Sequence, residues 1–236
     1  MRLRVRRVAI ASAVAAATAG VVVAVVALVP QPKPYDDLAI VNAVIYDGSG
    51  APPFEGGLAM RGERITAVWR GWRLPWRIAA RRKINVQGLA VAPGFVDTHS
   101  HADFSIEDAS SPIRAKNFVL QGVTTMVVGN CGRSPKDIGR FRDLVEARGS
   151  EVNIAALAGL NTIREAVMRG SASAPTPSEM RAMAGRLRQQ MNDGAVGVSS
   201  GFEYVPGRFA TRAETVRLLD IAARYGGVHT THMRNE

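Results

Sequence analysis

The chain has 236 residues, 47% of them hydrophobic and 21% charged, with a formal net charge of +10. A single cysteine, Cys131, excludes an internal disulfide, and no internal repeat or long low-complexity segment is present. Four of the ten excess positive charges sit at Arg2, Arg4, Arg6 and Arg7, and no recognition motif gathers the rest on one surface, so no nucleic-acid partner is expected.

The four arginines precede Val8 to Val29, 22 residues without a charge. That is longer than the roughly 7 to 15 apolar residues of a cleaved signal and close to the roughly 20 of a membrane-spanning helix. Residues 1–30 are therefore expected to form a signal-anchor or transmembrane helix, with the arginines inside and the rest of the protein outside the cytoplasm. Cleavage after Ala17-Thr18-Ala19, giving a secreted or periplasmic protein, is the alternative.

Residues 36–92 are expected to form part of a small β-sandwich subdomain. From Asp37 to Trp69, apolar and polar residues alternate between Gly and Pro turns, a pattern of antiparallel strands. The segment Arg61 to Lys83 then gathers eight cations against Glu63 alone, together with every tryptophan of the chain, Trp69, Trp72 and Trp76. A solvated loop accounts for it. An interfacial contact with a bilayer, indoles at the headgroups and cations on phosphates, is the sharper alternative.

From Pro93 onward the rhythm is that of βα units. Strands are predicted at Val91–Asp97, Val123–Val128, Asn153–Leu157, Ala195–Ser199 and Val228–Thr231. Two helix starts are explicit. Thr176, Pro177 and Glu179 form a cap, a first-turn proline and a capping-box acid, and Thr211 with Glu214 repeats the box.

The first of these strands runs into GFVDTHSHADF. His99 and His101 are two apart, so on a strand they share a face and converge, which makes half of a divalent-metal site of the zinc kind. Asp97 and Asp103 offer carboxylates for ligation or for support of the ligands. An exposed histidine pair in a polar loop is the plain alternative. The second strand ends in GNCG. There Cys131 is either a small buried thiol or a soft ligand suited to zinc. The fourth strand leads into SGFEYVPG, where Tyr204 either offers a pocket an apolar wall with a hydroxyl handle or is an aromatic plug in a loop core. The fifth leads into VHTTHMRNE, where His229 and His232 are three apart and face opposite sides.

The run VAPGFVDTHSHAD resembles the first barrel strand of the amidohydrolase superfamily. Together with QGVTTMVVGNCG, GAVGVSSGFEYVPG and GGVHTTHMRNE in this order, it looks like the N-acyl-D-amino-acid deacylase (D-aminoacylase) branch over roughly residues 36 to 236. The resemblance implies an α/β fold built on a (β/α)₈ barrel flanked by a small β-sandwich. It implies zinc, in one tight site with room for a second, weaker one, held by His99, His101, Cys131 and His232. It leaves His229 packed behind its strand against a helix. Arg234 and Glu236 follow at the strand end, either to orient His232 or bind a carboxylate, or as solvated loop charges. Tyr204 is expected to line the pocket of a small N-acyl amino acid whose acyl amide is hydrolysed. Cousins that bridge two metals with a carbamylated lysine differ here, because AVGVSSG contains no lysine; the chain has only Lys33, Lys83, Lys116 and Lys136.

A complete barrel of this kind takes about 250 residues, whereas residues 93–236 amount to 144. Five strands are accounted for, so the expectation is a truncated barrel. The later strands, which in the family bring a further histidine and the proton-shuttling aspartate, have no counterpart. A catalytically inactive, membrane-anchored relative acting as a binding domain is the second functional reading, and an amidohydrolase acting on a different C–N bond is the third.

Overall fold

In a computed structural model of the protein, the structure describes residues 36–71, 78–108 and 115–235. The expected membrane segment, residues 1–30, lies outside the described residues, as do Trp72 and Trp76 of the basic stretch. Among the described residues, no helix is long and apolar enough to cross a membrane. The chain divides into two compact units, the first reaching Pro93 and the second starting at Gly94.

The first unit is a mixed sheet. Strands β1 (Asp36–Ile45), β2 (Phe54–Arg61) and β3 (Arg64–Arg70) are consecutive antiparallel neighbours. Strands β4 (Ala80–Asn85) and β5 (Ala90–Val91) both join β1 in parallel. Along β1 every second residue is buried, as the alternation in the sequence demands. A bulge between Ile40 and Ala43, with Asn42 at φ 57°, inserts an extra residue and switches the buried face. Before it, Ala39 and Val41 pack with Ala59 and Trp69; after it, Ala43 and Ile45 pack with Leu58.

The basic, tryptophan-rich stretch departs from both sequence readings. Trp69 is buried in β3, 8% exposed, and is a core residue rather than an interfacial one. Arg81, Arg82 and Lys83 lie within strand β4 rather than in a loop. The physical reason is pairing: β4 extends the sheet on β1, and its cations remain exposed there.

The second unit holds the βα rhythm. Its strands are β6 (Phe95–Asp97), β7 (Val123–Val128), β8 (Asn153–Ala156), β9 (Ala158–Gly159), β10 (Gly197–Gly201) and β11 (Val228–His232). Strands β6, β7 and β8 pair in parallel, as do β9, β10 and β11. The predicted third strand is thus shared: Asn153–Ala156 pairs with β7 and Ala158–Gly159 with β10, so one run of chain joins the two sheets through Leu157. The predicted first strand is divided at Pro93, with Ala90–Val91 in the first unit and Phe95–Asp97 in the second. Proline has no N–H to give a ladder.

Helices α1 (Asp103–Glu107), α2 (Lys116–Val119), α3 (Ile138–Arg148), α4 (Leu160–Met168), α5 (Pro177–Asn192) and α6 (Arg212–Arg224) alternate with these strands. Met126, Val128 and Val198 project to one side of the sheets and form the main core with Phe141, Ile163, Met183, Leu187 and Leu218 of the helices. Thr176 and Glu179 close a complete capping box on α5. At α6 the box is half made. The Thr211 hydroxyl accepts from the Glu214 N–H, but the Glu214 carboxylate turns inward to Arg164 of α4. Both side chains of that pair are almost fully buried, and Arg164 Nη1 meets the two Glu214 oxygens at 2.6 and 2.5 Å.

Candidate metal centre

The residues opposite to the core-facing set, together with the turns at the carboxyl ends of the strands, build the site. The turn after β6 carries His99 and His101. The His99 N–H donates to the Asp97 carboxylate, which fixes the turn and spends one carboxylate oxygen on backbone. The Ser100 N–H donates to Val127 O of β7 at 3.0 Å, so the turn is tied to the neighbouring strand. The two imidazoles lie edge to face, ring centres 5.4 Å apart, and Phe104 stacks against His101 at 6.0 Å.

Cys131 follows β7 in the left-handed backbone region at φ 54°, between Gly129 and Gly132, which are also at positive φ. For a side chain larger than glycine that conformation costs of order 1–3 kcal/mol and survives only where surroundings enforce it. Here they do. Ser199 Oγ of β10 donates to Gly129 O at 2.5 Å and accepts from the Gly132 N–H at 3.0 Å. The Thr162 N–H donates to Gly132 O. At Gly201 the chains pass so closely that a Cβ would stand 2.1 Å from Cys131 O, which explains a glycine at that strand end.

This folding brings the donor atoms of His99, His101 and Cys131 within 4.8 Å of one another. Cys131 Sγ stands 3.4 Å from His99 Nε2. Nitrogen and sulfur ligands on one tetrahedral zinc are separated by roughly 3.5 Å, given bonds of about 2.0 and 2.3 Å. Two imidazoles and a thiol therefore fit a soft divalent cation in chemistry and in spacing, small side-chain rotations closing the longer separations. Burial pushes the Cys131 thiol up from its ordinary value, so the metal-free centre carries a neutral thiol.

Two residues after His101, at the start of α1, Asp103 is fully buried, its carboxyl pushed up by desolvation. The N–H groups of Asp103 itself and Gly129, and the charges of His101 and Arg133, oppose that shift. Neither carboxylate oxygen has a hydrogen bond of ordinary geometry among the described residues.

His232 is not part of the three-residue group. It stands at the end of β11, on the strand face shared with Thr230, and its Nδ1 donates to Met233 O at 3.1 Å. A carbonyl can only accept, so the neutral ring carries its lone pair on Nε2. Tyr204 packs edge to face on His232, ring centres 4.7 Å apart. His229 faces the opposite side of β11, as predicted from the spacing. It is not packed away, however: it is exposed, and its Nε2 is 2.9 Å from Ser200 Oγ. Arg234 donates to the carbonyls of Arg208 and Ala210, which commits it to the loop after β10; Glu236 lies outside the described residues.

Sequence reading missed the buried polar residues behind the site: Asn130, Asn161 and Ser199, each at most 3% exposed. Asn161 Oδ1 accepts from the Gly201 N–H and its Nδ2 donates to Gly201 O, clamping the end of β10. The available signal was a polar residue set within glycine-flanked apolar runs, as in VGNCG and GLN.

A model of the amidohydrolase family matches residues 82–226. The N-acyl-D-glutamate deacylase of Alcaligenes xylosoxydans xylosoxydans is 36% identical over 85% of this chain and 44% of its own length. The D-aminoacylase of the same organism is 34% identical over 85% of this chain and 45% of its own. Among solved structures, N-acyl-D-glutamate deacylase from Bordetella bronchiseptica, in complex with zinc and a phosphonate inhibitor that mimics the tetrahedral intermediate, superposes with a TM-score of 0.76. It has 34% identity and matches over 86% of this chain and 46% of that one. The chain spans somewhat under half the length of these relatives. With parallel strands carrying an HxH turn and a cysteine at their carboxyl ends, and with this match, the chain belongs to the amidohydrolase family.

Proposed function

We propose that this chain carries the metal-holding strands of a zinc-dependent hydrolase that removes the acyl group from N-acyl-D-amino acids. The observation that carries the reading is the convergence of two imidazoles and one thiol within 4.8 Å at the strand ends. The relatives' names point the same way, to N-acyl-D-glutamate and related deacylases.

His99, His101 and Cys131 are assigned as ligands, and His232, its tautomer set by Met233 O, as the ligand that completes a tight site or founds a weaker second one. Zinc, when bound, supplies a Lewis acid that polarises an amide carbonyl and makes water nucleophilic near neutral pH. Tyr204 walls the substrate side and holds the His232 ring. The acidic residue that hands a proton to the leaving amine is assigned to chain beyond the fifth barrel strand, the barrel part starting near Pro93 and residues 36–92, whose described strands form one mixed sheet, making up part of a β-sandwich subdomain. The charge-free run Val8–Val29 behind four arginines supports a membrane anchor with the hydrolase outside the cytoplasm; retention in carbonate-washed membranes tests it.

The decisive assay follows amine release from N-acetyl-D-glutamate, N-acetyl-D-aspartate and an apolar N-acetyl-D-amino acid, with their L enantiomers, by the zinc-loaded protein translated to the stop codon of the gene. Release from a D substrate that chelation abolishes supports the reading. Zinc bound without hydrolysis of any of them overturns it in favour of a binding relative.

A further inference from the structure

Asn130, fully buried in the turn between β7 and Cys131, touches every strand end that carries a proposed ligand. Its Nδ2 donates to Val127 O at 2.9 Å and to Ser100 O at 3.4 Å, and Ser100 is the residue between His99 and His101. Its Oδ1 accepts from Thr230 Oγ1 at 3.3 Å, and Thr230 is two residues before His232 on the same face of β11. Its own peptide leads into Cys131, and its carbonyl accepts the Arg133 N–H, which closes the turn. The amide orientation is determined by these partners, since the flipped group would set its oxygen against two carbonyl oxygens.

The geometry points to Asn130 as the positioning residue that holds the histidine turn, the cysteine turn and the fifth strand in one register around the metal. This rests on the proposed metal centre. A carboxamide suits the task because two donors and one acceptor are needed at once; aspartate supplies no donor, and alanine supplies neither. Asn130 need not touch the cation. Groups that orient ligands from behind alter metal affinity by about 10- to 100-fold when lost.

The test uses the full chain and Co²⁺ as the probe, with affinity read by chelator competition. The thiolate-to-cobalt charge-transfer band and the d–d bands report ligand geometry. Far-UV circular dichroism and the thermal midpoint of the metal-free protein report the fold. For Asn130→Asp the expected result is a folded protein with at least tenfold weaker cobalt binding and shifted d–d bands. Thr230→Val, isosteric and cutting only the link to β11, should weaken binding by a smaller factor while leaving the charge-transfer band in place. If Asn130→Asp fails to fold, Thr230→Val decides the question by the same readouts. Unchanged affinity and spectra in the folded variant overturn the role of Asn130. No cobalt binding by the native chain overturns the metal centre itself, a distinct result.

Discussion

Cys131 Sγ and His99 Nε2 lie 3.4 Å apart, although the two residues are 32 positions apart in the chain, with helical segments between them. The thiol is held there by a left-handed backbone and a buried turn, and burial keeps it protonated in the metal-free chain. Metal binding must displace that proton, so affinity should rise with pH through the neutral range and beyond the usual thiol value of about 8.5. Cys131→Ala should lower zinc per chain, measured by elemental analysis after dialysis. Equal zinc in native and variant protein would remove the ligand role.

Asp103 is buried, neither of its carboxylate oxygens has a hydrogen bond of ordinary geometry among the described residues, and desolvation pushes its carboxyl up against the pull of the Asp103 and Gly129 N–H groups. A carboxyl whose folded value is raised favours folding below the unfolded value of about 3.9, and this contribution is lost as pH rises through the folded value. At neutral pH the metal-free chain therefore bears the cost of a buried anion. Asp103→Asn should stabilise it at pH 7 by about 1 kcal/mol, an advantage that disappears near pH 4. Paired urea denaturation at the two pH values measures this, and bound zinc should shrink the gain by favouring the carboxylate.

The Arg164–Glu214 pair ties α4 to α6, and Arg164 Nη2 also donates to the carbonyls of Ser171 and Ser173. Removing one charge strands the other in the core. Glu214→Gln is expected to cost about 3 kcal/mol in chemical denaturation. Arg164→Met combined with Glu214→Leu should recover much of that loss, because neither charge is then left buried. A double variant no more stable than Glu214→Gln would show that the carbonyl contacts dominate.

Tyr204 meets His232 through its ring, with centres 4.7 Å apart. Tyr204→Phe keeps that contact and should leave zinc affinity unchanged, whereas Tyr204→Ala frees the imidazole and should weaken it several-fold. A competition titration with a zinc indicator distinguishes the two. Equal affinity in all three proteins would separate Tyr204 from the metal centre and leave it a role toward substrate alone.

Much was determined by the sequence alone, wherever the signal is local. Strand positions follow from apolar β-branched runs, and the α5 start follows from Thr176, Pro177 and Glu179, whose hydrogen bonds close within one turn. The opposite facing of His229 and His232 follows from strand alternation, whereas His99 and His101 converge from the turn after β6 rather than from the strand that their spacing predicted.

Tertiary structure decided what depends on distant chain. Glu214 had a local capping partner available, yet the buried guanidinium of Arg164 outcompeted it, because a charge in the core tolerates no vacancy. Trp69 beside its arginines suited a solvated loop or an interfacial contact, but pairing of β3 with β2 placed it in the core with Ala39 and Val41. Asn130 received no role from the sequence. Only the parallel packing of β6, β7, β10 and β11 brings Ser100 O, Val127 O and Thr230 Oγ1 around one carboxamide, since hydrogen bonds spanning up to 100 residues leave no periodicity in a sequence.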